Sequence, residues 1–204
     1  MHNILLVGSS SASRKQLLEE AKIPFMVIGH TAAEESVDHT LPLARLVQTI
    51  ARLKMEHTIV PSSYTKEYAF VLTADSLGHD TLGKPLGKPR DREDAINKIN
   101  AVNNKKSSNC VAVCIDKKKK DAHGQWETVK RREICVESSF IFHVPEQWME
   151  RYLNHSWAMI ASGAIAVENY GAQFTKLIEG SYSGIMGLPM YEVREALDAL
   201  GFFD

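Results

Sequence analysis

The sequence predicts an α/β fold built on a mixed sheet, and three observations carry that prediction. Short apolar runs alternate with helical periodicity in the first half of the chain. Strand-like segments follow one another more directly in the second half, as antiparallel strands do. One run, Phe70-Val71-Leu72-Thr73-Ala74-Asp75-Ser76, ends on a carboxylate and is followed by a loop with two Gly-Lys-Pro triplets. Such a run reads as a buried parallel strand. Ligands of open α/β sheets bind beyond the carboxyl ends of the strands, so Asp75 can hold a divalent metal or take a proton from water. An Asp that merely caps a turn would look the same locally.

The elements before that strand follow in order. Ile4 to Val7 is a first buried strand, and Gly8 to Ser13 turns the chain into a helix from Arg14 to Ala21. Ser13 with Gln16 three residues on has the form of a capping box. Arg14 and Lys15 fit that start poorly, because a helix dipole favours acids there. Serine hydroxyls, backbone N–H groups and an Arg at a helix start suit a phosphate. Pro24 to Ile28 is a second strand, and His30 to Thr40 a polar loop carrying Glu34, Glu35 and Asp38. A helix over Leu41 to His57 has the apolar stripe Leu43, Leu46, Val47, Ile50 and Leu53. Lys54 lies on or beside that stripe, either snorkelling at its edge or aimed into a site beneath.

After the Gly-Lys-Pro loop, Asp91 is the expected N-cap of a helix to Ile99. Asn103 to Ser108 is a polar break, Cys110 to Ile115 a strand, and Asp116 to Gly124 a turn whose Lys117 to Lys120 run forms a solvated tip. Glu127 to Val144 makes one or two strands, and Pro145 starts a short helix through Leu153. Asn154 to Ala172 is irregular. Phe174 to Ile178 is a last strand, Gly180 to Pro189 a loop, and Tyr191 to Leu200 a terminal helix stopped by Gly201.

Composition narrows the function classes. A chain of 204 residues with 44% hydrophobic and 24% charged residues makes one domain, at most with two lobes. A net charge of −1 gives no bulk attraction to nucleic acid or to a membrane surface. No apolar run reaches membrane-spanning length, and Met1-His2-Asn3 before Ile4 to Val7 does not make a signal peptide. Cys110, Cys114 and Cys135 are odd in number and lack a C-x-x-C, so they read as reduced core thiols of a cytoplasmic protein.

Taken together, several motifs in register resemble the Maf family of nucleoside triphosphate pyrophosphatases. Ser9-Ser10-Ser11-Ala12-Ser13-Arg14 is similar to the family's S-S-S-P-R-R, with Leu17-Leu18 after it. Ile23-Pro24-Phe25, Glu34, Ala51-Arg52-Leu53-Lys54, Thr73-Ala74-Asp75-Ser76 and Leu86-Gly87-Lys88-Pro89 with Asp91 follow in the family's order. So do Leu177-Ile178-Glu179-Gly180 and Gly187-Leu188-Pro189. The resemblance covers nearly the whole chain. It departs at Ser13, which replaces an Arg, and at Asn104 to Val111, which lacks G-x-x-H-x-V-x-T-G. The loop after Asp75 is one residue longer, and Ala32 and Ala33 replace two residues usual near Glu34.

The resemblance implies a mixed twisted sheet flanked by helices, in two lobes with a central cleft, and hydrolysis between the α- and β-phosphates. It implies Mg²⁺ or Mn²⁺ held by Asp75 and Glu34, which also activate water. Lys54, Lys88 and Arg14 would clamp phosphates, with Lys84 an alternative to Lys88, and Ser9, Ser10 and Ser11 would hold the phosphate tail. It also implies a homodimer and no nucleic-acid or membrane partner. Glu168 aligns where dTTP/UTP-type members carry Gln and 7-methyl-GTP-type members carry Glu. An ionised carboxylate only accepts hydrogen bonds, which suits guanine's N1–H and N2–H₂. Two rival classes remain in view: a non-catalytic nucleotide-binding regulator on the same fold, marked by Ser13 and the altered Asn104 to Val111 stretch, and a nucleic-acid-binding module. The charge balance counts against the latter.

Overall fold

The computed structural model describes residues 3–204. Its strands are β1 (Leu5–Val7), β2 (Phe25–Val27), β3 (Tyr68–His79), β4 (Pro85–Leu86), β5 (Lys106–Lys120), β6 (Trp126–Phe142) and β7 (Thr175–Glu179). Its helices are α1 (Ala12–Glu20), α2 (Leu43–Glu56), α3 (Arg92–Val102), α4 (Met149–His155), α5 (Tyr182–Ile185) and α6 (Met190–Ala199). The sheet runs in the order β2-β1-β3-β5-β6-β7, with β4 paired to β3. β1 is parallel to β2 and β3, whereas the β3/β4 and β6/β7 pairs are antiparallel. The mixed α/β expectation holds. No described helix is long and apolar enough to cross a membrane.

The chain forms two compact units. One comprises residues up to Asp75, Val111–Cys135 and Gly187–Asp204; the other comprises Ser76–Cys110 and Val136–Met186. In the first, Leu6, Ile28, Met55, Tyr64, Ala69, Val71 and Cys114 form one apolar cluster. α2 buries Leu46, Val47, Ile50, Ala51, Lys54 and Met55, a face that recurs every three to four residues and includes the lysine. In the second, the Tyr152 ring lies 5.4 Å from both Phe142 and Phe174. Its hydroxyl donates to the Ala164 carbonyl and accepts from the Ala166 N–H, each at 2.9 Å. That satisfies a polar atom inside an apolar cluster.

Several elements differ from the sequence reading. α1 starts at Ala12, with Ser11 in the capping position. Ser13 therefore lies inside the first turn, the expected capping box does not form, and Gln16 donates to Glu20 instead at 2.7 Å. β3 does not stop near Asp75 but continues to His79, because Gly78 and His79 pair with Leu86 and Pro85 in a hairpin. The Asp80 carboxylate closes that hairpin by accepting from the Leu82 and Lys84 N–H groups, and Gly83 takes the positive φ of 78° that the turn needs. Part of the extra loop length is thus ordered β-hairpin.

β5 also extends at both ends, so Lys117 to Lys120 lie in the strand and the tip is Asp121 to Gln125. Aromatic rings do accompany the lysines. Lys117 Nζ is 4.7 Å from the Tyr68 ring centre, and Lys120 Nζ is 5.1 Å from that of Trp126. These rings come from other strands, beyond the reach of a local sequence pattern. Cys110 and Cys114 are buried as expected, while Cys135 is exposed rather than in the core.

Candidate active site

The site is assembled where the parallel strands of the first unit end. Val7 pairs with Val27 and Leu72, and the next N–H, that of Gly8, donates to the Leu72 carbonyl at 2.8 Å. A Cβ on Gly8 would lie 2.9 Å from Thr73 Cγ2, so the close crossing over β3 needs glycine. The chain then delivers Ser9, buried, Ser10, exposed, and Ser11 at the start of α1. Thr73 Oγ1 donates to the Ala51 carbonyl at 2.7 Å and pins α2 to β3 two residues before Asp75.

Lys54 is the hub. Its ammonium lies 2.8 Å from Asp75 Oδ1 and 2.9 Å from Glu34 Oε2, so it joins the strand carboxylate to the loop carboxylate. Its side chain is 10% exposed, against 17% for Asp75 and 41% for Glu34. The lysine is therefore directed into the site. Glu34 opens a short 3₁₀ turn, Glu34–Ser36, and its Oε1 is 4.0 Å from His30 Nε2.

Arg14 lies beside this pair and is buried. Its Nε donates to the Gly187 carbonyl at 2.8 Å, and its Nη1 donates to Ser9 Oγ and to the Ala74 carbonyl, each at 2.9 Å. Burial pulls its pKa down, while the charges of Asp75 and Glu34 push it back up. These three bonds tie the serine loop, the end of the buried part of β3 and the Gly187 loop together. The carbonyl acceptors were invisible in the sequence, although Gly187-Leu188-Pro189 is a motif there.

Lys88 and Glu168 belong to the second unit. Lys84 is part of the β3/β4 turn, where its backbone N–H and carbonyl are both bonded to Asp80. Lys88 follows β4 and is exposed, three residues before Asp91, which caps α3 by accepting from the Asp94 N–H at 2.8 Å. Glu168 is 5% exposed, at the start of a 3₁₀ turn over Asn169–Phe174, so it is not an exposed loop acid. Its charge adds to burial in raising the Tyr152 pKa.

Glu34 and Asp75 are oxygen donors, and the described residues contain no group of three or more His, Cys, Asp or Glu side chains suited to a metal. Such a pair fits Mg²⁺ or Mn²⁺, which is commonly held by one or two carboxylates while substrate phosphates and water fill the other positions. It does not fit a zinc cage, which needs three or four N/S/O ligands.

A family model described as Maf, Maf-like protein, matches residues 4–200. A protein of Acholeplasma laidlawii named dTTP/UTP pyrophosphatase is 32% identical over 196 residues, covering 95% of both chains. Proteins of the same name from Neisseria meningitidis and Hydrogenovibrio crunogenus are 30% and 26% identical. They cover 98% and 100% of this chain, and 96% and 99% of their own.

Proposed function

The chain belongs to the Maf family, and we propose that it is a nucleoside triphosphate pyrophosphatase that releases a nucleoside monophosphate and pyrophosphate. The observation that carries this reading is Lys54 bridging Asp75 and Glu34 at the end of the parallel strands. Cleaving the α–β bond needs a positioned carboxylate for the attacking water and cations that stabilise charge developing on the phosphates. In the proposed reaction one of Asp75 and Glu34 holds that water and accepts its proton. Lys54 turns its ammonium to the phosphates, with Lys88 as a second cation. Ser9, Ser10 and Ser11 meet the phosphate tail at the start of α1. Arg14 keeps the serine loop and Ala74 in place. Mg²⁺ or Mn²⁺, when bound by Asp75 and Glu34, would neutralise part of the triphosphate charge.

The similar proteins are named for dTTP and UTP, and pyrimidine triphosphates are the first substrates to expect. A second reading rests on Glu168. Its carboxylate is buried, and an acceptor-only group matches the paired donors of guanine better than the acceptor–donor edge of uracil or thymine. It favours a guanine-type nucleotide such as 7-methyl-GTP.

The test is pyrophosphate release with Mg²⁺ or Mn²⁺ across the ordinary triphosphates and 7-methyl-GTP, for the wild type and Glu168→Gln. Release of pyrophosphate rather than orthophosphate is expected. If Glu168 reads the base, the Gln variant shifts the ratio of GTP-type to UTP-type turnover by about tenfold toward UTP. An unchanged ratio removes that role. Nucleotide binding with no release from any nucleotide would instead favour the non-catalytic regulator.

A further inference from the structure

We propose that Lys54 is the resident cation of the carboxylate pair. In the nucleotide-free protein its ammonium fills the place between Glu34 and Asp75 where a divalent metal would bind, so metal and nucleotide enter together rather than in turn. The proposal rests on reading Glu34 and Asp75 as the metal-holding pair. Lys54 touches one oxygen of each carboxylate at ordinary ion-pair distances, 2.8 and 2.9 Å, and its own side chain is nearly buried. An ammonium is a compact point charge with three donors, able to hold two acids at once.

The charge count gives the consequence. Two carboxylates and one ammonium leave one negative charge, enough to invite a metal but not to accommodate it freely. A divalent ion entering alone would take both of Lys54's partners. It would also leave an ammonium, little exposed, beside two new positive charges, an arrangement that burial makes costly. Arg14 adds a further positive charge nearby, and it is held by Ser9, Ala74 and Gly187. A triphosphate changes the balance, because its oxygens give Lys54 new acceptors as the carboxylates turn to the metal. Metal and nucleotide thus favour each other's binding, and the coupling is reciprocal.

Mn²⁺ binding, followed by electron paramagnetic resonance of the free ion, tests this with the full chain. The proteins are the wild type, Lys54→Met and Lys54→Met/Asp75→Asn, each without nucleotide and with a non-hydrolysable α,β-methylene triphosphate. Wild type should bind Mn²⁺ about tenfold or more tightly with the analogue than without it. Lys54→Met should bind Mn²⁺ alone about tenfold more tightly than wild type, and the added Asp75→Asn should abolish that gain. Equal Mn²⁺ affinity in wild type and Lys54→Met overturns the proposal. So does wild-type affinity that ignores the analogue, a result that stands even if Lys54→Met does not fold. Pyrophosphate release by the same wild-type preparation separates the two claims: release without coupling sinks this inference alone, and no release sinks the functional reading beneath it.

Discussion

Arg14 shows how far a residue's type speaks for its role. An arginine after a serine run at a helix start reads as a phosphate ligand, yet its guanidinium is buried and donates to the protein at Gly187, Ser9 and Ala74. Lysine cannot reproduce that fork of donors. Arg14→Lys should therefore lower unfolding stability in urea by about 2–3 kcal/mol, since bonds from a charged donor are worth about 1.5–3 kcal/mol each and lysine keeps only part of them. A change within about 0.5 kcal/mol would show that the three bonds do not hold the loop. Lys54 was readable as one of two alternatives, because a lysine beside an apolar stripe either snorkels or enters a site, and Glu168 was readable only through the resemblance, by its alignment with a Gln or Glu position. Asn104 is a third case. It takes φ +55°, the left-handed conformation that asparagine tolerates better than most side chains do.

Among the elements, the short first strands, the amphipathic helices and the span of β6 were legible, and the full lengths of β3 and β5 were not. β1, β2 and α2 lie where apolar periodicity put them. The sequence pattern ends β5 before Asp116, because an acid after an apolar run looks like a turn. In the fold Asp116 is fully buried on β5. It accepts from Arg131 Nε and Nη2 at 2.7 and 2.8 Å and from Thr128 Oγ1 at 2.8 Å, all from β6. Partners a dozen or more residues away compensate its charge, and no local pattern records them. The same charge bears on Cys114, two residues earlier. Burial first, and then Asp116, push its thiol from 9.0 up to about 12. A pKa raised on folding contributes stability that is present in full below about pH 9.0 and is lost as pH climbs toward 12. Denaturation curves should therefore fall more steeply with pH over that window in wild type than in Cys114→Ala. Matching slopes would contradict the assignment. In the native protein at neutral pH a thiol reagent should label exposed Cys135 first, with Cys110 and Cys114 reacting on unfolding.

At the scale of the whole molecule, the order of motifs carried more than any of them did alone. Glu34, Lys54 and Asp75 come from a loop, a helix and a strand separated by some twenty residues each, and the structure draws all three within one ammonium's reach. The motif order made them candidates; the distances had to come from the fold. The resemblance implied two lobes, but where the chain divides, with β3 leaving the first unit at Asp75, was not legible, because strands that run on through both units leave no linker in the sequence. Asp75 is central to the proposed reaction as a chemical residue rather than a structural one, and the decisive measurement is pyrophosphate release by Asp75→Asn. The amide keeps the shape and can still accept from Lys54, but it cannot take a proton from water or offer a charged oxygen to a metal. Turnover should fall about 10²–10⁴-fold, with the variant folded and as heat-stable as wild type to within a few degrees, if Asp75 has this chemical role. Turnover within about twofold of wild type would contradict it.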